Sequence, residues 1–127
     1  MSELKIEAKS LYKSYKDGAN AVDALKEINL SVKKSEFVAI QGPSGAGKST
    51  LLHILGGLDH PSRGEVLFEG ANLYHLSENE RATFRNTKIG FVFQFYHLLP
   101  QMNVLENVLL PALLKSWWER KKGADYA

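Results

Sequence analysis

The chain has 127 residues, enough for at most one domain with a workable core. Its 16 basic and 14 acidic residues leave a net charge of +2, too little to argue for nucleic acid as a partner. The absence of cysteine excludes a disulfide scaffold, a thiolate metal site and a cysteine nucleophile. Glu3, Lys5 and Glu7 punctuate the first ten residues, so these do not read as a signal peptide. No uncharged apolar run approaches the ~18 residues of a membrane-spanning helix, and the expectation is a soluble chain.

In chain order, Leu4, Ile6 and Ala8 alternate with charged residues, the pattern of a half-exposed strand. Asp17-Gly18 signals a turn and Ile28, Leu30 and Val32 alternate again, so residues about 4–33 read as antiparallel strands. The run Phe37-Val38-Ala39-Ile40 is continuously apolar, as in a strand covered on both faces within a parallel sheet. A glycine-rich loop follows, and then a helix whose Leu51, Leu52, Ile54, Leu55 and Leu58 would be buried along one side until Gly56-Gly57 stop it; strand, loop and helix occupy about 36–58. A turn at Pro61–Gly64 leads into another strand. Ser77 and Glu80 have capping-box spacing before a short polar helix, and residues 89–94 form a second buried strand, closing a segment of about 64–94. Asn103 and Glu106 repeat the cap spacing, and Pro111 is expected to kink or interrupt the last helix, within about 95–127. The order is mixed α/β, with an N-terminal antiparallel segment before an α/β core.

The loop carries the chemistry. Gly42, Gly47, Lys48 and Ser49 match G-x-x-x-x-G-K-[ST], the P-loop or Walker A pattern, with an apolar run before it and a helical pattern behind it. Glycines allow the backbone around Pro43, Ser44, Gly45 and Ala46 to curl, so that successive N–H groups face one concavity. The following helix adds about half a positive charge from its dipole. Lys48 supplies a mobile cation for phosphate oxygens, Ser49 a hard oxygen for Mg²⁺, and Thr50 a hydroxyl within the first helical turn. Such a loop is built for a polyphosphate and a divalent metal.

Beyond the loop, "SLYKSYKDG", "LGGLDHPSRGEVLFEG" and "GFVFQFYHLLPQMNVLENVLLP" together resemble the first part of the ATP-binding cassette (ABC) transporter ATPases, over residues about 4–115. The segment after Gln94 is similar to that of the lipoprotein-releasing (LolD) type, whose relatives are the macrolide-export and cell-division ATPases. The resemblance implies a P-loop NTPase core that binds ATP and Mg²⁺. It implies that Tyr15 stacks on adenine and that Gln94, at the Q-loop position, approaches Mg²⁺ and the attacking water. It also implies a homodimer that sandwiches ATP, and integral membrane subunits contacted near the Q-loop. The whole would lie on the cytoplasmic face of the inner membrane and drive lipoprotein release.

Members of that family continue into a "LSGGQ"-like signature, an Asp-Glu strand and a switch histidine, none of which occurs in these 127 residues. His53, His60, His75 and His97 precede the place of the switch histidine and read as polar filler. The expectation is therefore the front portion of a longer ATPase, able to bind nucleotide and to hydrolyse it negligibly. Two other readings stay open. The loop "GPSGAGKST" also resembles that of guanylate-kinase-type enzymes, although those begin at the P-loop strand and carry an acceptor-base segment with no counterpart here. A non-catalytic ATP-binding module would carry the same residues.

Overall fold

The computed structural model describes residues 3–124, without the side chains of Trp118 and of residues 120–124. It comprises two units, Met1–Arg81 and Ala82–Ala127.

The first unit is built on a hairpin. Strands β1 (Leu4–Asp17) and β2 (Asn20–Lys33) pair antiparallel, closing from Asp17 opposite Asn20 to Leu4 opposite Lys33. Strand β3 (Arg63–Phe68) joins the other side of β1, and the two-residue β4 (Ala71–Asn72) completes a sheet of order β2-β1-β3-β4, antiparallel throughout. The pleat of β1 presents Ala8 inward; Leu11, after a register shift, is fully buried, and Leu25 of β2 with Val66 and Phe68 of β3 join it.

Helix α1 (Lys48–Leu55) contributes Leu51, Ile54 and Leu55 to this core. The five apolar positions expected on its buried side are too many for one face: Leu52 points to solvent, and Leu58 lies beyond the helix end and is exposed. The helix closes in a Schellman turn at the glycine pair, with the Gly57 N–H bonded to the Ile54 carbonyl (3.2 Å) and the Leu58 N–H to the His53 carbonyl (2.8 Å).

The register of β1 against both neighbours shifts around Ser10. Ser10 (φ 45°), Glu27 (φ 49°) and Gly64 (φ 95°) take left-handed conformations on the three adjacent strands. A Cβ at Gly64 would stand 2.3 Å from the Ser10 carbonyl oxygen, so only glycine lets β3 approach β1 there.

In the second unit the end of α2 (Glu78–Lys88) leads into an irregular segment, and α3 (Val104–Ala124) follows. The rings of Phe91 and Phe93 stack with centroids 5.3 Å apart, and Phe93 meets His97 at 4.6 Å. Both expected capping boxes form: Ser77 N–H to Glu80 Oε2 (2.8 Å) with Glu80 N–H to Ser77 Oγ (3.3 Å), and Asn103 N–H to Glu106 Oε2 (2.8 Å) with Glu106 N–H to Asn103 Oδ1 (2.9 Å). Asn107 staples the preceding loop to α3, donating to the carbonyls of Leu99, Met102 and Asn103 and accepting from the Leu99 N–H.

Two expectations require correction and a third is narrowed. The apolar run 37–40 and residues 89–94 form no regular secondary structure, and Phe37 and Val92 are exposed. A parallel strand is held by ladders to its neighbours, and among the described residues none pairs with either segment; apolar character supplies no backbone partner. Helix α3 runs through Pro111 without the interruption that was one of the two expected outcomes, and the Pro111 carbonyl accepts a bond from Asn86 Nδ2 at 3.2 Å. The loss of one helical N–H is tolerated within a helix of 21 residues. Trp117 is half-exposed, while the side chain of Trp118 and residues 125–127 lie outside the described residues.

Candidate functional site

The loop 42–47 stands between the apolar run 37–40 and α1, whose first residues are Lys48, Ser49 and Thr50. Gly47 is the N-cap of α1 at φ 91°, and the cap makes no side-chain hydrogen bond. A Cβ at Gly47 would lie 2.4 Å from the Ala24 carbonyl oxygen and 3.0 Å from the Leu25 side chain, so glycine here lets the loop lie directly on β2. The first helical bond runs from the Leu51 N–H to the Gly47 carbonyl at 2.9 Å. The N–H groups of Lys48, Ser49 and Thr50 therefore precede any donor that α1 itself can satisfy, and they point outward at the positive end of its dipole.

The rest of the loop curls back toward them. Pro43 and Ala46 close a turn (Ala46 N–H to Pro43 carbonyl, 3.2 Å) around Ser44 and Gly45, with Gly45 at φ 80°. Lys48 does not float in solvent. Its ammonium donates to the carbonyls of Gly42 (2.7 Å) and Pro43 (2.6 Å), and so holds the two ends of the loop together. Ser49 is exposed and Thr50 partly so. Amide donors, a helix N-terminus, one cation and one free-standing hydroxyl are the donor set that a polyphosphate and a hard divalent ion require.

Tyr15 stands near the turn of the hairpin, opposite Val22, with 43% of its surface exposed. It is not isolated. Its hydroxyl donates to Asp59 Oδ2 (3.0 Å), and the Lys13 ammonium lies 5.0 Å from its ring centroid. Lys13 also pairs with Asp59 Oδ1 (2.9 Å) and donates to the His60 carbonyl (2.6 Å). Burial pushes the Asp59 carboxyl up. The Lys13 ammonium, the His60 N–H and the Tyr15 hydroxyl more than offset this and hold its pKa below the ordinary value.

Asp59 escaped the sequence reading, because a lone aspartate after a glycine pair signals only a turn. His60 is more than polar filler. Its ring sits 5.2 Å from that of Tyr74, and its Nε2 lies 2.9 Å from Arg81 Nη2; since a guanidinium only donates, Nε2 accepts. Arg81 is almost wholly buried and also binds Glu78 and the Leu76 carbonyl (3.3 Å). The Tyr74 hydroxyl reaches the carbonyls of Ile54 (2.6 Å) and Asp59, fastening the end of α1. Gln94 belongs to the second unit, exposed at a bend.

A glycine-capped helix behind an amide-lined loop with an inward-turned lysine defines a P-loop protein. The chain belongs to the ABC transporter family, whose profile matches residues 25–126. It is similar to the lipoprotein-releasing system ATP-binding protein LolD of Geobacter metallireducens, with 52% identity over 90% of this chain and 50% of that protein. The LolD of Legionella pneumophila (strain Lens) is 47% identical over the same shares of the two chains. Among solved structures, the dimeric bacterial ABC transporter cassette MJ0796 superposes with a TM-score of 0.83 at 47% identity, covering 87% of this chain and 47% of that one. A post-hydrolysis state of the same cassette, bound to ADP and Pi, gives 0.82 at 46% identity, again over 87% of this chain and 47% of that one. The chain thus spans about half the length of the relatives it matches. No helix among the described residues is long and apolar enough to cross a membrane.

Proposed function

We propose that this chain is part of the ATP-binding subunit of an ABC transporter, and that its loop 42–47 and the first residues of α1 hold the phosphates of Mg-ATP. The observation that carries this reading is the loop itself: Gly47 capping α1 without a side-chain bond, with Lys48 turned back across the loop. Backbone amides of Gly45 to Thr50 would meet the phosphates, Lys48 would exchange its two carbonyl partners for phosphate oxygens, and Ser49 would offer a hard oxygen to Mg²⁺; Gln94 would keep the Q-loop role that its family implies. Tyr15 would take the adenine on its exposed surface. Bound Mg²⁺ would supply charge neutralisation on the phosphate oxygens.

The similarity to LolD proteins supports coupling to lipoprotein release. On this reading two copies pair around nucleotide, and membrane subunits dock near Gln94 and hold the assembly at the cytoplasmic face of the inner membrane. For the 127-residue polypeptide itself we propose binding without appreciable turnover, because the carboxylate pair used to activate water in this family is not among its residues.

Calorimetric titration of the purified chain with Mg-ATP tests the central claim. Lys48→Ala should weaken binding about 10- to 100-fold, the range for losing one charge-assisted contact to a phosphate. Its thermal midpoint should stay close to wild type, since the ammonium binds only exposed loop carbonyls. Equal affinity for the two proteins would overturn the assignment.

A further inference from the structure

The assignment of Tyr15 leaves open how an exposed ring near the end of a hairpin is held in one orientation. An unanchored tyrosine samples several rotamers and loses that freedom when a base stacks on it. Here the turn after α1 grips β1 through five hydrogen bonds. Asp59 takes Lys13 and Tyr15, the His60 carbonyl takes Lys13, the Ser62 N–H donates to the Tyr12 carbonyl (2.7 Å), and Ser62 Oγ accepts from the Ser14 N–H (3.0 Å). The register of β1 against β2 shifts between Leu11 and Lys13 and again between Lys13 and Ser14. Such irregularities re-aim side chains, and here Lys13 and Tyr15 both meet the same carboxylate.

We infer that Asp59 is a positioning residue for nucleotide binding: it fixes the Tyr15 ring by its hydroxyl while Lys13 covers part of the ring, leaving the remaining surface for the base. This rests on the reading of Tyr15 as the base platform. Asp59 touches no nucleotide in this scheme and acts through the ring alone. Because the same carboxylate follows the C-terminus of the helix whose N-terminus faces the phosphates, it ties the base platform to the phosphate loop.

The test separates base from phosphate recognition by titrating the chain with Mg-ATP and with Mg-tripolyphosphate. Tyr15→Phe keeps the stacking surface and removes the anchor; Asp59→Ala removes the acceptor. Each should weaken ATP about two- to tenfold, the range for one net hydrogen bond, and leave tripolyphosphate unchanged. The double variant should lose no more than the larger single loss, because both remove one interaction. ATP affinities of Tyr15→Phe equal to wild type while Tyr15→Ala is weakened would overturn the positioning role and keep the platform. Parallel loss of tripolyphosphate, or additive losses in the double variant, would also overturn it, since either shows that Asp59 acts on the fold at large. A wild-type chain that binds tripolyphosphate as tightly as ATP removes the platform and the inference with it. One that binds neither refutes the loop assignment itself.

Discussion

The two units of this chain spend their apolar residues differently. In the first, Leu11, Ile54, Val66 and Leu73 are shut away from water completely or nearly so. In the second, Phe95, Tyr96, Leu105 and Val108 are mostly exposed. The second is nevertheless the more apolar of the two in sequence. The difference lies in what each can close with local material. A hairpin needs only a two-residue turn to pair its strands, and one short helix then covers the sheet. An apolar helix face or a parallel-type strand has no such self-contained solution and is buried only when other elements supply ladders and side chains. Apolar content therefore says which residues favour burial, and topology says which of them achieve it.

Substitutions sharpen that contrast. Ile54→Ala, in the covered region, should cost about 2–5 kcal/mol and could unfold the first unit outright, as measured by urea denaturation. Asn103→Ala, which removes a cap of α3, should cost about 1 kcal/mol of helix stability and show as faster amide exchange confined to the second unit. Val108→Ser on the exposed face should change thermal stability by no more than about 0.5 kcal/mol while raising solubility. A loss comparable to that of Ile54→Ala would show that the second unit has a core of its own.

The smallest effect is one of pH. The carboxyl of Asp59 titrates lower in the folded chain than in the unfolded one, so its contribution to stability is complete above the ordinary carboxylate range and disappears as pH falls through the lowered folded value. Thermal midpoints followed from neutral pH into acid should fall less steeply for Asp59→Asn than for wild type. Parallel curves would show that the Lys13 and Tyr15 contacts carry no net stability.

Much of this was legible in the residues. The alternation of Leu4, Ile6 and Ala8, the Asp17-Gly18 turn, the Gly56-Gly57 helix stop and both capping boxes depend on neighbours only a few positions away, and each formed as read. The apolar run 37–40 misled because its pattern reports a covered environment and cannot name the strand that provides it. Pro111 allowed either a kink or an interruption, and the helix continues through it, because one missing donor does not interrupt a long helix. Asp59 was invisible because its partners, Lys13 and Tyr15, lie more than forty residues earlier and meet it only through the fold.

The line of left-handed residues at Ser10, Glu27 and Gly64 has a consequence for how copies of this chain meet one another. Strand β2 is an outer strand of 14 residues, long enough to recruit a foreign strand along its open side. The left-handed residue at Glu27 interrupts its row of donors and acceptors midway, and irregularities of this kind bend a strand and increase its twist. No approaching strand can then match the full length at once, and the hairpin that carries Tyr15 is guarded against pairing with its own kind.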